Sequence, residues 1–187
     1  MKLKAIALTA MSVCAISAFI VAGASAQSFH ASKTGNLKGK ATSNQVFTTA
    51  AGKVTCEEAT TTGTVTALLS LHQLVDVIYG KCTAFGLGGV DVSLALYLFN
   101  ADGGLAKLEN TVTITSLIAG CTIVVLGGQD LRTVKYKNVG KNLVEESEVA
   151  GIVSHGSGGL CGSGTSTTGT YVGNNEIELV GGEVSWS

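Results

Sequence analysis

Val90-Asp91-Val92-Ser93-Leu94-Ala95-Leu96-Tyr97-Leu98-Phe99 alternates aliphatic and mixed side chains without a break, and it runs into Asn100-Ala101-Asp102-Gly103-Gly104. Period two over ten residues marks a strand with one face on a core, because successive strand side chains point to opposite sides. Asp-Gly and Gly-Gly supply the positive φ angles that tight hairpin turns need. The alternation places Val90, Val92, Leu94, Leu96 and Leu98 inward. Tyr97 and Phe99 then share the outward face, where they form the chain's candidate binding face.

The same pattern spreads in both directions. Thr111 to Thr115 puts Val112 and Ile114 inward and threonines outward, and further strand segments fall at 46–49, 53–56, 62–71, 75–82, 121–126, 131–137, 144–153, 169–172, 176–180 and 184–186. Gly, Asn and Ser separate these segments, and proline is absent, so glycine makes the turns. Together they specify an all-β fold: a single antiparallel β-sandwich, or a partly open barrel, of about 10–12 short strands. Internal repeats are not visible, which disfavours a propeller or solenoid.

At the N-terminus, Lys2 and Lys4 precede an apolar stretch from Ala5 to Ala22, and Ala24-Ser25-Ala26 has the small-x-small form of a cleavage site. This is the pattern of a secretory signal-peptide helix, residues 1–26, removed after Ala26. Cys14 does not make a lipoprotein site, because Val13 before it is not small and the apolar run continues past it. Residues 27–44 are polar and read as a lead segment or edge strand, leaving 45–187 as the β-domain. Loss of Lys2 and Lys4 takes the net charge from -1 to -3, which gives no electrostatic case for nucleic acid or anionic lipid. No later segment is apolar for long enough to span a bilayer. The acidic group Glu145, Glu146 and Glu148 reads as a solvated strand face.

Four cysteines remain after the signal: Cys56, Cys82, Cys121 and Cys161. An even number in an exported chain points to disulfides, and the spacings contain no C-x-x-C pair or finger-like histidine, so zinc is disfavoured. Three connectivities exist. The short-range pairs, Cys56 with Cys82 and Cys121 with Cys161, are favoured because each closes a segment of hairpin scale. Chain entropy assigns each bridge roughly 3 to 4 kcal/mol.

The glycine-rich stretch from Ser154 to Gly173 tests poorly as an active-site loop. A nucleophile elbow needs G-x-S-x-G, but His155 stands two places before Ser157 and Cys161 two before Ser163. The dinucleotide pattern G-x-G-x-x-G fails at Cys161 and Thr167, and Gly35 to Lys40 is one residue short of a P-loop. His155 is too close in sequence to Ser154 or Ser157 to align as their base, His30 lies in the lead segment, and His72 with Asp76 straddles a strand break. Asn100, Asp102 and Glu109 supply oxygens near one turn without the full calcium-loop pattern. With Trp186 the single tryptophan, a sugar-stacking platform would need Tyr79, Tyr97, Tyr136 or Tyr171. The residues thus specify no catalytic group, cofactor or metal site, and the chain is expected not to be an enzyme.

Val54-Thr55-Cys56, Gly63-Thr64, Tyr79 with Cys82-Thr83-Ala84-Phe85-Gly86, Gly120-Cys121-Thr122-Ile123, Gln129, Val134-x-Tyr136-x-Asn138-x-Gly140 and Gly169-Thr170-Tyr171-x-Gly173 run in the same order as in another set of sequences. On these residues the chain resembles an uncharacterised family of exported, disulfide-containing, β-rich bacterial proteins, from about Phe29 to Trp186. The resemblance implies a further cysteine pair with one partner in a segment like Leu94-Ala95-Leu96-Tyr97, where this chain has Ala95 and no matching cysteine. It implies no activity. The expected function is a non-catalytic secreted or surface β-domain that binds an extracellular polymer or protein partner. The alternatives are a self-assembling subunit of a surface layer, matrix or fibre, and a secreted hydrolase.

Overall fold

Long β-branched runs with no proline can pair over many residues, and here they do. A computed structural model describes residues 27–102, 104–132 and 134–187; the expected signal peptide, 1–26, lies outside the described residues. The strands in chain order are β1 (Phe29–Ala31), β2 (Gly35–Ala41), β3 (Gln45–Thr49), β4 (Gly52–Val65), β5 (Leu69–Ser70), β6 (His72–Ala84), β7 (Leu87–Val92) and β8 (Ala95–Asn100). They continue as β9 (Ala106–Leu108), β10 (Val112–Ser116), β11 (Cys121–Val125), β12 (Gln129–Leu131), β13 (Val134–Val139), β14 (Asn142–Ser157), β15 (Gly164–Leu179) and β16 (Val184–Trp186). Every pairing is antiparallel, as expected for an all-β chain built of consecutive hairpins.

The large sheet returns on itself. β2 and β3 lie end to end against β4, β4 pairs β6, and β6 pairs both β7 and β8. β7 pairs β10 and β8 pairs β9, after which β10 pairs β11 and β9 pairs β12. β11 pairs β14, β14 pairs β15, and β15 closes the circuit on β2 and β3. Collinear pieces counted together, this is an up-and-down barrel of eight staves in which each stave neighbours the next in sequence. It is open along one seam, where β12 leaves β14 and β13 folds back to take its place.

Four strands are 13 to 16 residues long rather than short, and each contains a change of face that splits its period-two signal. In β4 the buried positions step from Val54 and Cys56 to Ala59 and Thr61, and in β6 from Val75 and Val77 to Cys82 and Ala84. The two steps coincide. Lys81 sits there at φ 51°, a left-handed backbone unusual for a side chain with a Cβ, and its ammonium meets Glu58 at 2.5 Å outside the wall. β14 steps in the same way from Val149 to Ile152 across a register shift with β15. These are the kinks that let a sheet close into a barrel.

The opening decapeptide is broken by the same device. Val90 points inward in β7, but the chain leaves the ladder at Ser93 and Leu94, and β8 resumes with Ala95, Tyr97 and Phe99 inward. The outward assignment of Tyr97 and Phe99 is therefore corrected: Phe99 is only 8% exposed. Leu94, Leu96 and Leu98 face out instead. Residues 27–44 are likewise not a loose lead. β2 is hydrogen-bonded on both edges, by β4 and β15, so the barrel begins at Gly35 rather than near residue 45.

A small sheet, β16-β1-β5, joins the two ends of the described chain: Ser28 N–H donates to Ser187 C=O at 2.6 Å and Ser187 N–H to Ser28 C=O at 3.1 Å. Its apolar side stoppers one end of the barrel with Phe29, Tyr136, Phe99 and Trp186 in edge and tilted ring contacts of 5.1 to 6.2 Å. Cys56 is bridged to Cys82, its direct register partner, and Cys121 to Cys161, which ties the 3-10 turn Gly159–Cys161 to the start of β11. The barrel interior is mostly aliphatic and aromatic, with one buried polar group around Gln45, Glu145, Ser147 and Asn175, while Lys38, Lys40, Glu57, Glu58, Glu176 and Glu178 lie on outward positions. That polarity is the reverse of a barrel that spans a membrane, and among the described residues no helix is long and apolar enough to do so. The two disulfides fit an extracellular or periplasmic protein.

Where backbones do not meet, side-chain amides complete the ladder. Gln129 donates from Nε2 to Val153 C=O at 2.9 Å and accepts at Oε1 from Val153 N–H at 2.6 Å, copying a peptide group across the β12–β14 seam. Asn110 makes the same two-bond clamp to Leu94 and Leu96 at 2.8 Å each, and Asn138 does so to Trp186 at 2.8 Å each. Replacing Gln129 with Met keeps the volume and removes the clamp. The variant is expected to lose about 1 to 2 kcal/mol, since the part-buried Val153 N–H is left unpaired and its C=O keeps only the 3.4 Å bond from Leu126 N–H. Hydrogen exchange at the Val153 amide reports it directly; unchanged protection there would show that the seam holds without Gln129.

Candidate functional site

Two places in the barrel gather chemistry: its polar interior and one strip of its outer wall. Inside, Tyr97 on β8, Tyr79 on β6 and Tyr171 on β15 converge because their strands are turned by the face changes described above. Tyr79 Oη lies 2.9 Å from Tyr97 Oη and donates to Tyr171 Oη at 3.4 Å, and Tyr171 donates in turn to Gln45 Oε1. Gln45, 2% exposed, donates to Ser43 C=O at 2.9 Å and Asn174 C=O at 3.2 Å, which fixes the break between β2 and β3. Burial pushes all three tyrosine hydroxyls well above their ordinary pKa.

Beside them lies Glu145, 1% exposed, which corrects its reading as part of a solvated face: alternation along β14 turns Glu145 in while Glu146 meets Lys137 outside at 2.6 Å. Its partners are neutral. Asn175, directly opposite in register, donates Nδ2 to Oε2 at 2.7 Å, and Ser147 donates to Oε1. Burial raises the Glu145 pKa, and the two hydrogen bonds only partly oppose it. Cavities of about 50 and 20 Å³ share the three tyrosines as walls. These are water-sized spaces, well below the roughly 300 Å³ at which small-molecule pockets begin, so the eight staves enclose a filled core rather than a ligand chamber.

The outer wall differs. Leu74, Ile78, Leu94, Leu96 and Leu98 come together on the outward side of the β6–β8 pair, with Leu74 opposite Leu98 and Asp76 opposite Leu96. Ile78 is 58% exposed. A groove of about 420 Å³ runs along this strip, lined by Thr64, Thr66, Ser70, His72, Leu74, Asp76, Leu96 and Leu98 among others. Soluble proteins scatter exposed leucines singly, and a contiguous patch of this kind marks an interaction surface.

The residues weighed as catalytic or metal-binding do not assemble. His30 Nε2 lies 3.0 Å from Ser28 Oγ and 2.9 Å from Ser187 Oγ, His72 Nδ1 lies 2.5 Å from Asn100 Oδ1, and His155 Nδ1 lies 3.4 Å from Thr165 Oγ1. Ser154 is buried while His155 beside it faces out, so they lie on opposite sides of β14. Glu109 is engaged by Lys107 at 3.1 Å and the Asn100 amide oxygen lies against His72 Nδ1, so the two oxygens are turned to different partners. Among the described residues no group of three His, Cys, Asp or Glu side chains converges. Gly35 to Lys40 is strand β2, not a phosphate loop. All four tyrosines belong to the interior or its stopper, which removes the aromatic platform a sugar-binding face would use.

Comparison with protein families, with curated proteins and with solved structures finds no match to this chain.

Proposed function

We propose that the chain is exported through residues 1–26, is cleaved after Ala26, and acts outside the cytoplasm as a non-catalytic β-barrel that binds an extracellular partner. The observation that carries this reading is the aliphatic strip Leu74, Ile78, Leu94, Leu96 and Leu98, set side by side on the outer face of the β6–β8 pair along a groove. Leu74, Ile78 and Leu94 are exposed and Leu96 and Leu98 half-buried, so a partner that covers the area they leave in water gains about 25 cal/mol per Å². The buried disulfides and stoppered end suit a domain that must stay folded without chaperones. Assembly into a fibre by exchange of the N-terminal strand has less support, because β2 is already paired on both edges.

Retention of the purified mature protein on the host's cell-envelope fraction tests the reading. The double variant Leu74→Lys, Leu98→Lys is expected to bind at least tenfold less while melting within a few degrees of the parent, since both changes are on the solvent side. Equal retention of the folded variant would remove the strip as the docking face.

A further inference from the structure

This inference rests on the docking reading and narrows what the strip receives. Asp76 is the one charged residue among the outward positions of the β6–β8 pair, with Leu74 and Ile78 on its own strand, Leu96 opposite and Thr62 of β4 on its other side. Four carboxylates of the outer surface are met by lysines: Glu58 by Lys81, Glu109 by Lys107, Glu146 by Lys137 and Glu183 by Lys141. Among the described residues Glu57, Asp91, Asp130 and Glu178, like Asp76, make no ion pair, so what distinguishes Asp76 is its place between leucines. Among the described residues Asp76 makes no ion pair and no side-chain hydrogen bond. Here the unpaired carboxylate lies in a groove of about 420 Å³ with Leu74, Leu96 and Leu98 on its lining.

We propose that this groove takes the cationic side chain of an extended peptide segment of the partner, a lysine or arginine flanked by apolar residues. The ammonium or guanidinium lies on the Asp76 carboxylate and the aliphatic stem runs along Leu74, Leu96 and Leu98. The chemistry selects this occupant. A wholly apolar ligand would strip water from the carboxylate and return nothing to it. A long basic side chain covers leucines with its methylenes and meets the acid with its head. A second copy of this chain, docked about a two-fold axis through the strip, would bring two Asp76 carboxylates face to face and repel. An extended segment fits better than a compact small molecule, because the aliphatic positions continue beyond the groove to Ile78 and Leu94.

The rim is already fixed for such a guest. Ser70 Oγ donates to His72 C=O at 2.5 Å and accepts from His72 N–H at 3.1 Å, and the His72 ring is held by Asn100. Gln73 Nε2 donates to Leu74 C=O at 2.9 Å and to Thr64 C=O at 3.2 Å, which fixes the distance between the groove's two sides. A rigid rim lowers the ordering cost of binding.

The test uses the mature protein and a fluorescein-labelled seven-residue peptide with a central lysine between leucines and serine elsewhere, beside versions with norleucine or glutamate at the centre. Anisotropy titration is expected to rank lysine above norleucine by about three- to fivefold, with glutamate weakest and the gap closing at high salt. With Asp76→Asn, confirmed as folded by its melting curve, the lysine and norleucine peptides should bind equally. With Leu74→Lys, Leu98→Lys neither should bind. Equal binding of lysine and norleucine peptides to the parent, both lost in the leucine variant, overturns the cation site and leaves the docking strip standing. Lysine binding that survives in the leucine variant sinks the strip itself. Failure of every peptide to bind the parent, or self-association of the parent that competes with the peptides, overturns the proposal.

Discussion

Reduction of both disulfides is expected to lower the unfolding free energy by about 7 kcal/mol, in two separable stages. Cys56–Cys82 and Cys121–Cys161 span 26 and 40 residues, and the chain-entropy relation gives about 3.5 and 4 kcal/mol for such loops. Domains of this size hold only about 5 to 15 kcal/mol in total, so the reduced chain is marginal. The order of loss follows from what else holds each bridge. Cys56–Cys82 joins register partners inside the β4–β6 ladder, with paired residues continuing on both sides. Cys121–Cys161 fastens a connection whose remaining anchors are few: Leu160 N–H donates to Ala119 C=O at 3.2 Å, and Gly159, at φ 42°, lies so close to Ala119 that any Cβ would collide with its carbonyl. Residues 162–168 beyond it are largely exposed. Hydrogen exchange in Cys121→Ser, Cys161→Ser should therefore rise first across 158–168 with the barrel still protected, whereas Cys56→Ser, Cys82→Ser should destabilise the barrel as a whole. Equal exchange of 158–168 in the parent and the first variant would show that Cys161 is not the pin.

The all-β antiparallel class was legible because half-buried strands must alternate, and four cysteines with these spacings offered few pairings. Strand length was not legible, because each long stave changes face once and a period-two pattern restarts there. Val90 to Phe99 shows the consequence: the apolar alternation is real, but two residues off the ladder at Ser93 and Leu94 turn Tyr97 and Phe99 into the core and the leucines out. The candidate docking strip was hidden by the same break, since it exists only when Leu96 and Leu98 are set beside Leu74 by pairing. Glu145 was misread for a different reason, because three nearby acids look alike in sequence and only Asn175 on the neighbouring strand marks which one is inside. Gln129 and Asn138 act as backbone surrogates at the seams. A side-chain amide of that kind has no periodicity to betray it.

Glu145→Gln is expected to stabilise the barrel at neutral pH and to remove a pH slope. The carboxyl is buried against neutral partners, and burial raises its pKa above the ordinary value of 4.5. Below that value both folded and unfolded chains hold the proton, and the group contributes no penalty. Above it the unfolded chain releases its proton while the folded chain keeps it, so the unfolded state binds fewer protons and stability falls as pH rises, by up to about 1.4 kcal/mol per unit. The fall ends once the folded carboxyl ionises. Tyr79, Tyr97, Tyr136 and Tyr171 around it stay protonated throughout, because burial raises them too. Glutamine keeps the shape and an oxygen for Asn175 and titrates nowhere, so the gap between variant and parent in urea unfolding should widen above the ordinary glutamate range and level off once the folded carboxyl ionises. Glu145→Leu separates charge from hydrogen bonding: it also removes the charge but strands Asn175 Nδ2, and it should lose about 1 to 3 kcal/mol where glutamine gains. A glutamine variant less stable than the parent by the same amount at every pH would mean that the native carboxyl is ionised and compensated, and the neutral-core account of the barrel would fail with it.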